Sequence, residues 1–257
     1  MRKFDGLDFF DFTFNNKKLS DFGGYVGNTS DGYKTYSVLP TRQRTKDKPL
    51  NSDITYEFSS SLNPRTFEVP IIFEQLHDGD LRAIASWLDS PTPSKFMFEG
   101  DDVYINATLD ETDFNAESVT GQDGIITLKF VCNDPFYYEN KLTKHTITQD
   151  EFVSGQVYTF DNYGYGELYP NIWIACTGDI KIEVLDSDNK VYTTTNITDI
   201  VGGVKINSTT LECTLQSGAS HFAHIDRFPV IPYGEFGIKV TGSNLTNMTI
   251  EYRIKYI

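Results

Sequence analysis

Apolar and polar residues alternate along several short segments of the chain. In residues 248–256 every even-numbered residue is Met, Ile or Tyr, and the odd-numbered residues are Thr, Glu, Arg and Lys. Residues 126–132 and 180–184 follow the same period of two. Because successive side chains of a β-strand point to opposite faces, this pattern predicts strands with one buried face. Phe, Tyr, Thr, Val and Ile recur between turn-forming Gly, Asn and Asp, which indicates a mainly β protein.

One segment has a helical period instead. Leu81, Ile84, Ala85 and Leu88 are spaced as i, i+3, i+4 and i+7, which predicts an amphipathic helix of about three turns. The sequence Ser-Pro-Thr-Pro at residues 90–93 ends this helix. We expect Trp87 to pack the helix onto a sheet.

The length and the distribution of charge indicate two domains. A chain of 257 residues is long enough for one large domain or two modest ones. Residues 1–140 contain 13 basic and 23 acidic side chains, whereas residues 141–257 contain 9 and 13. The polar segment 141–153 follows an aromatic cluster and is interpreted as a connector between two cores. We therefore predict domains at residues 1–140 and 141–257.

The overall charge excludes some classes of partner. The formal net charge is −14, which is the wrong sign for binding the phosphates of a nucleic acid.

The apolar stretches are shorter than the ~18 residues of a membrane span, and acidic residues interrupt the first segment, so neither a span nor a Sec signal is expected. Three widely spaced cysteines are interpreted as reduced thiols in the core.

A basic segment stands out against the acidic background. Arg42, Arg44, Lys46 and Lys48 lie close together between two prolines and predict an exposed loop. Two interpretations stay open for this loop. It is either a solvated hairpin tip or an arm that contacts an acidic neighbouring subunit.

The residue patterns that mark enzymes are missing from the sequence. His221 and His224 are close in sequence, but no third metal ligand follows at a familiar spacing. The sequence contains no nucleophile elbow, phosphate-binding loop or dinucleotide fingerprint. Residues 186–190 begin like a calcium loop but lack its later Gly and Glu, so we predict a β-turn there. The chain is thus not expected to be an enzyme, and no catalytic, cofactor-binding or metal site is predicted.

An ordered set of segments resembles a known family. In the first half these are residues 12–23, residues 63–70, the predicted helix, the strand at 124–130 and the sequence Cys-Asn-Asp-Pro-Phe-Tyr-Tyr at 132–138. In the second half they are residues 162–164, 169–172, 203–207 and 228–235, followed by the closing strand. Together they resemble the distal tail protein (Dit) family of long, non-contractile-tailed bacteriophages.

This resemblance implies a structural role in the virion. It implies two β-sandwich-type domains: an N-terminal tail-tube-like β domain with one α-helix, and a C-terminal galectin-like β-sandwich. In the family, six copies form a ring that serves as the baseplate hub during host adsorption. The ring joins the tail tube protein to the tail-associated lysin or tail fibre protein, and holds receptor-binding proteins or side fibres. The resemblance therefore implies a place at the distal end of a phage tail, or synthesis from a prophage in the bacterial cytoplasm.

The resemblance also implies what passes through the protein. Phage DNA crosses the ring without specific binding, and the acidic first domain suits such a channel because it repels phosphates. No cofactor and no membrane contact are implied. The leading alternative is a carbohydrate-binding module that attaches to host cell-wall polysaccharide through Trp173, Tyr163 and Tyr165. Trp173 is also expected to point into a core or an interface. A depolymerase with scattered carboxylates is a further alternative.

Overall fold

The computed structural model of the protein describes residues 11–27, 40–48, 53–74, 78–110, 116–120 and 123–257. The chain divides into two compact units. Unit 1 consists of residues 1–138 with Ile257, and unit 2 consists of residues 139–256.

Unit 1 contains one α-helix, α1 (Asp78–Leu88), and a single 3-10 turn at Leu19–Phe22 among its described residues. Its strands are β1 (Phe12–Phe14), β2 (Lys17–Lys18), β3 (Gly24–Val26), β4 (Arg42–Asp47), β5 (Tyr56–Leu62), β6 (Arg65–Glu74), β7 (Ser94–Phe98), β8 (Val103–Leu109), β9 (Ala116–Thr120), β10 (Asp123–Cys132) and β11 (Tyr137–Glu139), the last of which reaches the boundary between the units.

The main sheet of unit 1 is antiparallel, with the strand order β2-β1-β7-β8-β10-β6-β3. Its longest ladder joins β6 to β10, from Glu74 opposite Asp123 to Arg65 opposite Cys132. The alternation predicted for residues 126–132 is confirmed, because Ile126, Leu128, Phe130 and Cys132 are all buried. Val69, Ile71 and Phe73 fill the same core from β6.

The main sheet curls around an aromatic core. Phe14 on β1 and Phe130 on β10 belong to strands that are three places apart, and flat strands at that separation would be about 14 Å apart. Their ring centroids are nevertheless 5.2 Å apart. Phe12 also contacts both Phe96 and Phe130. The sheet therefore curls enough for β1 and β10 to share one core.

Helix α1 packs onto this core through Trp87, as predicted. The indole is 1% exposed, stacks on the rings of Phe22 and Phe12, and donates a hydrogen bond from Nε1 to the carbonyl oxygen of Phe14 over 2.8 Å. One detail of the predicted helix was wrong. Ala85 is exposed, because Trp87 occupies the buried face together with Ile84 and Leu88.

Unit 2 contains ten strands and a 3-10 turn at Phe222–His224. The strands are β12 (Thr143–Ile147), β13 (Val157–Asn162), β14 (Asn171–Ala175), β15 (Gly178–Leu185), β16 (Val191–Ile200), β17 (Val204–Asn207), β18 (Glu212–Leu215), β19 (Gly234–Gly242), β20 (Asn247–Tyr252) and β21 (Lys255–Tyr256).

Two antiparallel sheets form a sandwich in unit 2. One sheet has the order β12-β20-β14-β17-β18 and the other has the order β13-β19-β15-β16. A single cluster of buried side chains joins them, with Ile172 and Ile250 from the first sheet and Ile182 and Ile238 from the second. The prediction of a mainly β fold with β-sandwich architecture is thus confirmed.

Two predictions for unit 2 need correction. Residues 141–153 are not a connector, because β12 lies within them and pairs with β20, and Ile147 and Phe152 enter the core. The closing strand is also interrupted after Tyr252. The Arg253 side chain donates there to the carbonyl oxygen of Asn140 over 2.8 Å, and the carbonyl of Ile254 accepts the N–H of Glu139.

The turn and cysteine predictions are confirmed. Residues 186–189 form the turn between β15 and β16, in which one carboxylate oxygen of Asp186 accepts the backbone N–H groups of Asp188 and Lys190. Cys132, Cys176 and Cys213 are free and buried. Burial raises the pKa of Cys132 to about 12 and that of the other two thiols to about 11, so they stay protonated at neutral pH.

The first prediction concerns Trp87. We expect Trp87→Ala to lower the free energy of unfolding by about 3–5 kcal/mol, because it leaves a large cavity and removes the hydrogen bond to Phe14. Circular dichroism during denaturant unfolding measures this change without depending on tryptophan fluorescence. Ser86→Ala, on the exposed side of the same helix, is the control and should change the free energy by less than about 0.5 kcal/mol. A loss below about 1 kcal/mol for Trp87→Ala would contradict the packing described above.

The second prediction concerns Glu183 on the outer face of unit 2. Lys181 Nζ lies 2.5 Å from one carboxylate oxygen of Glu183 and Lys239 Nζ lies 3.1 Å from the other. The hydrogen bonds from Lys181 and then Lys239 lower the pKa of Glu183. A carboxyl with a lowered pKa in the folded state stabilises the protein above its unfolded pKa of about 4.3, and this contribution is lost as the pH falls further.

We therefore expect Glu183→Gln to reduce the stability of unit 2 by about 1 kcal/mol at pH 7. The difference from the parent protein should shrink between pH 7 and pH 3, because the contribution of the ion pairs is lost as the pH falls below about 4.3 and Glu183 becomes protonated in the folded state. Thermal unfolding across this pH range tests the expectation, with Glu212→Gln, at an exposed site on β18, as the control. A difference that is the same at both pH values would show that the two ion pairs do not stabilise the fold.

Candidate functional site

A β-hairpin in unit 1 carries the predicted basic segment. Strands β4 and β5 pair with each other as a separate two-stranded sheet, from Arg42 opposite Leu62 to Asp47 opposite Tyr56. The base of the hairpin is held by Asn63, whose backbone N–H donates to the carbonyl of Thr41 and whose side chain bonds the Thr41 hydroxyl. Every residue of β4 is exposed, as is every residue of β5 except Leu62.

The basic side chains share one face of this hairpin. Arg42, Arg44 and Lys46 are at alternate positions of β4, so they point to the same side of the strand. Glu57 lies opposite Lys46 in the register and forms an ion pair with Arg44 over 3.4 Å. Both partners are largely exposed, so this pair adds little stability. The face thus has more positive than negative charges.

Exposed apolar side chains lie on and just before β5 of the same hairpin. The register shifts between Thr45 and Lys46, which leaves Phe58 as the extra residue of a β-bulge. Phe58 is 68% exposed, and Tyr56 and Ile54 beside it are also exposed. Bulges turn a side chain out of the regular pleat. Such exposed apolar residues make the hairpin a candidate interaction surface.

The structure thus changes the prediction for the basic segment. Arg42, Arg44 and Lys46 lie in a strand and not in a loop, and Lys48 follows directly after it. The alternation of basic with other polar residues at 42–48 is the signal that would have predicted this strand. Sequence reasoning also missed Phe58, because only the pairing of β4 with β5 shows that it belongs to the same hairpin.

The three aromatic residues of the carbohydrate-binding alternative belong to different parts of unit 2. Tyr163 and Tyr165 follow β13, and Tyr163 is 69% exposed. Trp173 lies in β14 of the other sheet, between Lys205 and Thr249 in the register. Ile172 and Ile174 point into the core, so the half-buried Trp173 is on the outer face. Trp173 thus does not enter the core, and its place in an interface stays a prediction.

His221 and His224 stack on each other with ring centroids 4.3 Å apart. Nε2 of His221 lies 2.7 Å from the carbonyl oxygen of Thr198, and Nδ1 of His224 lies 3.2 Å from a carboxylate oxygen of Asp199. Across the part of the chain that the structure describes, no three His, Cys, Asp or Glu side chains are arranged to hold a metal ion. In the same residues, no helix has the length and apolar character needed to cross a membrane.

Comparison with known proteins adds independent information. Residues 7–134 match the family described as the phage tail protein N-terminal domain. No curated protein matches the chain significantly.

Solved structures extend the similarity to both units. The Dit protein (gp 19.1) of phage SPP1 is 16% identical with a TM-score of 0.74, and the alignment covers 97% of this chain and 100% of that protein. A chain of the phage p2 baseplate in its activated conformation with Sr is 12% identical with a TM-score of 0.53, covering 98% and 100%. The corresponding structure with Ca gives 11% identity and a TM-score of 0.54, covering 96% and 99%.

The family match covers most of unit 1, and the fold of the SPP1 protein extends over nearly the whole chain. Both agree with the resemblance that the ordered sequence segments indicated. Residues 7–134 thus match a phage tail protein N-terminal domain, and the chain as a whole has the fold of the SPP1 Dit protein.

Proposed function

We propose that the protein assembles as a hexameric ring at the distal end of a phage tail, where it is the hub of the baseplate. The observation that carries this proposal is the β4–β5 hairpin, which forms a sheet of its own among the described residues and exposes a basic face and Phe58. A two-stranded hairpin alone is at best marginally stable in water. Contact with a neighbouring subunit supplies the missing support.

Charge complementarity supports a second copy of this chain as that neighbour. Residues 1–140 have a net charge of −10, and Arg42, Arg44 and Lys46 are concentrated on one face of one strand. A basic arm on an acidic domain is attracted to the same domain of another copy. Contacts between two different surfaces of identical subunits close into a ring when their rotation permits it.

The number of copies and the other partners come from the resemblance to the family. It gives six copies, with the tail tube protein on one side and the tail-associated lysin or tail fibre protein on the other. Receptor-binding proteins or side fibres attach at the periphery. The SPP1 relative is described as a paradigm of a hub adsorption apparatus, and the p2 relative is a baseplate chain, which supports this assignment.

The proposed role is structural. The similar proteins are components of phage tails and baseplates. The acidic first domain suits a channel through which DNA passes without specific binding, because like charges repel. The location follows from the same assignment: the mature protein is part of the virion, at the distal end of the tail, after synthesis in the bacterial cytoplasm.

The third prediction tests the basic face. We expect the combined reversal Arg42→Glu, Arg44→Glu, Lys46→Glu and Lys48→Glu to prevent ring assembly, because it replaces attraction to an acidic neighbour with repulsion. Light scattering across a concentration range measures the mass, for which the ring is six times the chain mass of 29.2 kDa. Negative-stain imaging then shows whether the large species are closed rings.

A matched control reverses four exposed charges of unit 2, at Lys141, Lys190, Lys205 and Arg227. It changes the net charge equally and should leave the rings intact. Rings that form equally well in the hairpin variant would show that the hairpin is only solvated. A parent protein that stays monomeric, alone and with the tail tube protein added, would contradict the hub proposal.

The fourth prediction separates the apolar contact from the charges. We expect Phe58→Ser to raise the protein concentration needed for ring assembly by at least about tenfold, because the variant lacks the phenyl group that is buried in the proposed interface. Phe222→Ser, at a phenylalanine of unit 2 that is 57% exposed, is the control and should have no effect. Equal assembly of both variants would exclude Phe58 as an anchor.

A further inference from the structure

Unit 2 carries a row of exposed tyrosines that the hub assignment does not use. Along residues 161–169, Asp161, Tyr163, Glu167 and Tyr169 are exposed and Tyr165 is half-buried. The residues between them that carry side chains, Asn162 and Leu168, point inward and are buried. Tyr192 on β16 and Tyr233, just before β19, are exposed as well, the latter by 65%. We call these seven outward residues (Asp161, Tyr163, Tyr165, Glu167, Tyr169, Tyr192 and Tyr233) the tyrosine ridge.

Contacts join the separate segments of the tyrosine ridge. Asn162 pairs with Gly234 at the end of the β13–β19 ladder, so Tyr163 and Tyr233 are the next residues along their two segments. The Tyr192 hydroxyl donates a short hydrogen bond to the Glu167 carboxylate. These contacts link residues 161–169 to the segments that carry Tyr192 and Tyr233.

The backbone beneath the tyrosine ridge is held firmly. The side-chain amide of buried Asn162 donates to the carbonyl oxygens of Gly166 and Pro232, and its oxygen accepts the N–H of Gly164. Leu168 and Ile231 exchange both backbone hydrogen bonds. A side chain at Gly164 would collide with the carbonyl oxygen of Lys255. Exposed rings on a fixed backbone lose little entropy when they bind a ligand.

The hydroxyl groups of two ridge tyrosines are anchored to carboxylates. Tyr192 bonds to Glu167, and the hydrogen bond of Tyr163 to Asp161 raises the pKa of that phenol. The hydroxyl groups therefore stay protonated, and their bonds orient the aromatic rings. The carboxylates keep further lone pairs that accept hydrogen bonds from a ligand.

The charge of the tyrosine ridge limits the class of ligand. Segments 161–170, 191–193 and 230–235 contain Asp161, Glu167 and Glu235 and no Lys or Arg, and Lys255 lies beside them, with its carbonyl oxygen accepting the N–H of Tyr165. The three carboxylates outnumber this ammonium group. Such a surface repels phosphates and other anions. Flat aromatic faces beside hydrogen-bond acceptors suit a molecule with apolar C–H faces and many hydroxyl donors.

We infer that the tyrosine ridge is a binding site for a polysaccharide whose sugars are neutral or bear amines. The C–H faces of the sugars stack on Tyr163 and Tyr233, and their hydroxyl or ammonium groups donate to Asp161 and Glu167. A basic protein segment would use the same charges. The sugar is favoured because flat exposed rings beside carboxylate acceptors match the C–H faces and the hydroxyl donors of a sugar.

The test uses the full-length protein on an array of three kinds of oligosaccharide. These are neutral hexose and N-acetylhexosamine oligomers, glucosamine oligomers with free amines, and anionic polyglycerol phosphate. We expect binding to the first or second kind and none to the third. Tyr163→Ala combined with Tyr233→Ala should weaken this binding by at least about tenfold. The unfolding midpoint of this variant should not change, because both rings are exposed.

Phe222→Ala is the matched control, since it removes an exposed ring of unit 2 outside the tyrosine ridge and should bind sugars normally. The inference would be overturned if the parent protein bound no sugar. It would also be overturned if the tyrosine variant bound both sugar classes as well as the parent protein does. Binding of an oligo-arginine peptide without any sugar would show that a protein is the occupant instead. Ring assembly is measured separately, so failure here leaves the hub proposal unaffected.

Discussion

The curvature of the unit 1 sheet depends on the packing of aromatic rings around Trp87. Phe12 and Phe14 come from the start of the described chain, and Phe130 comes from a strand three places away in the sheet. Rings are large enough to span the space that opens when a sheet curls, and they contribute more buried apolar area than aliphatic side chains do. The indole adds a polar contact that fixes the helix relative to β1. Smaller core residues would leave a cavity there.

This self-contained core explains why the β4–β5 hairpin is exposed. The main sheet buries its own apolar face. Asn63 and Pro64 separate the hairpin strand β5 from the main-sheet strand β6. Proline has no N–H group to donate, so it suits a break between two ladders. The hairpin therefore extends from a rigid strand, and its own sequence is free to serve contacts with other molecules. Its basic face and Phe58 give it two kinds of contact, charged and apolar.

Unit 2 separates stability from recognition in another way. Aliphatic residues, mainly Ile, fill the space between its two sheets, whereas most of its exposed aromatic rings are tyrosines. Tyrosine tolerates exposure because its hydroxyl is polar while its ring still offers a large contact area. The inward residues Asn162 and Leu168 hold the backbone, and the outward residues between them are available for a ligand. Neighbouring residues in this segment thus have different roles, with the inward ones stabilising the fold and the outward ones exposed to a ligand.

The amino-acid sequence by itself determined the elements whose pattern is local. The strands at 126–132 and 180–184, the helix around Trp87, the turn at 186–189 and the buried thiols followed from side-chain periodicity, turn chemistry and composition. The ordered segments also indicated the family. Only the tertiary structure decided features that depend on partners distant in the sequence. These are the pairing of β12 with β20, the break after Tyr252, and the separation of Trp173 from Tyr163. It also showed that the basic residues and Phe58 belong to one hairpin. Strand register depends on which segments pair, and a local sequence pattern does not encode that choice.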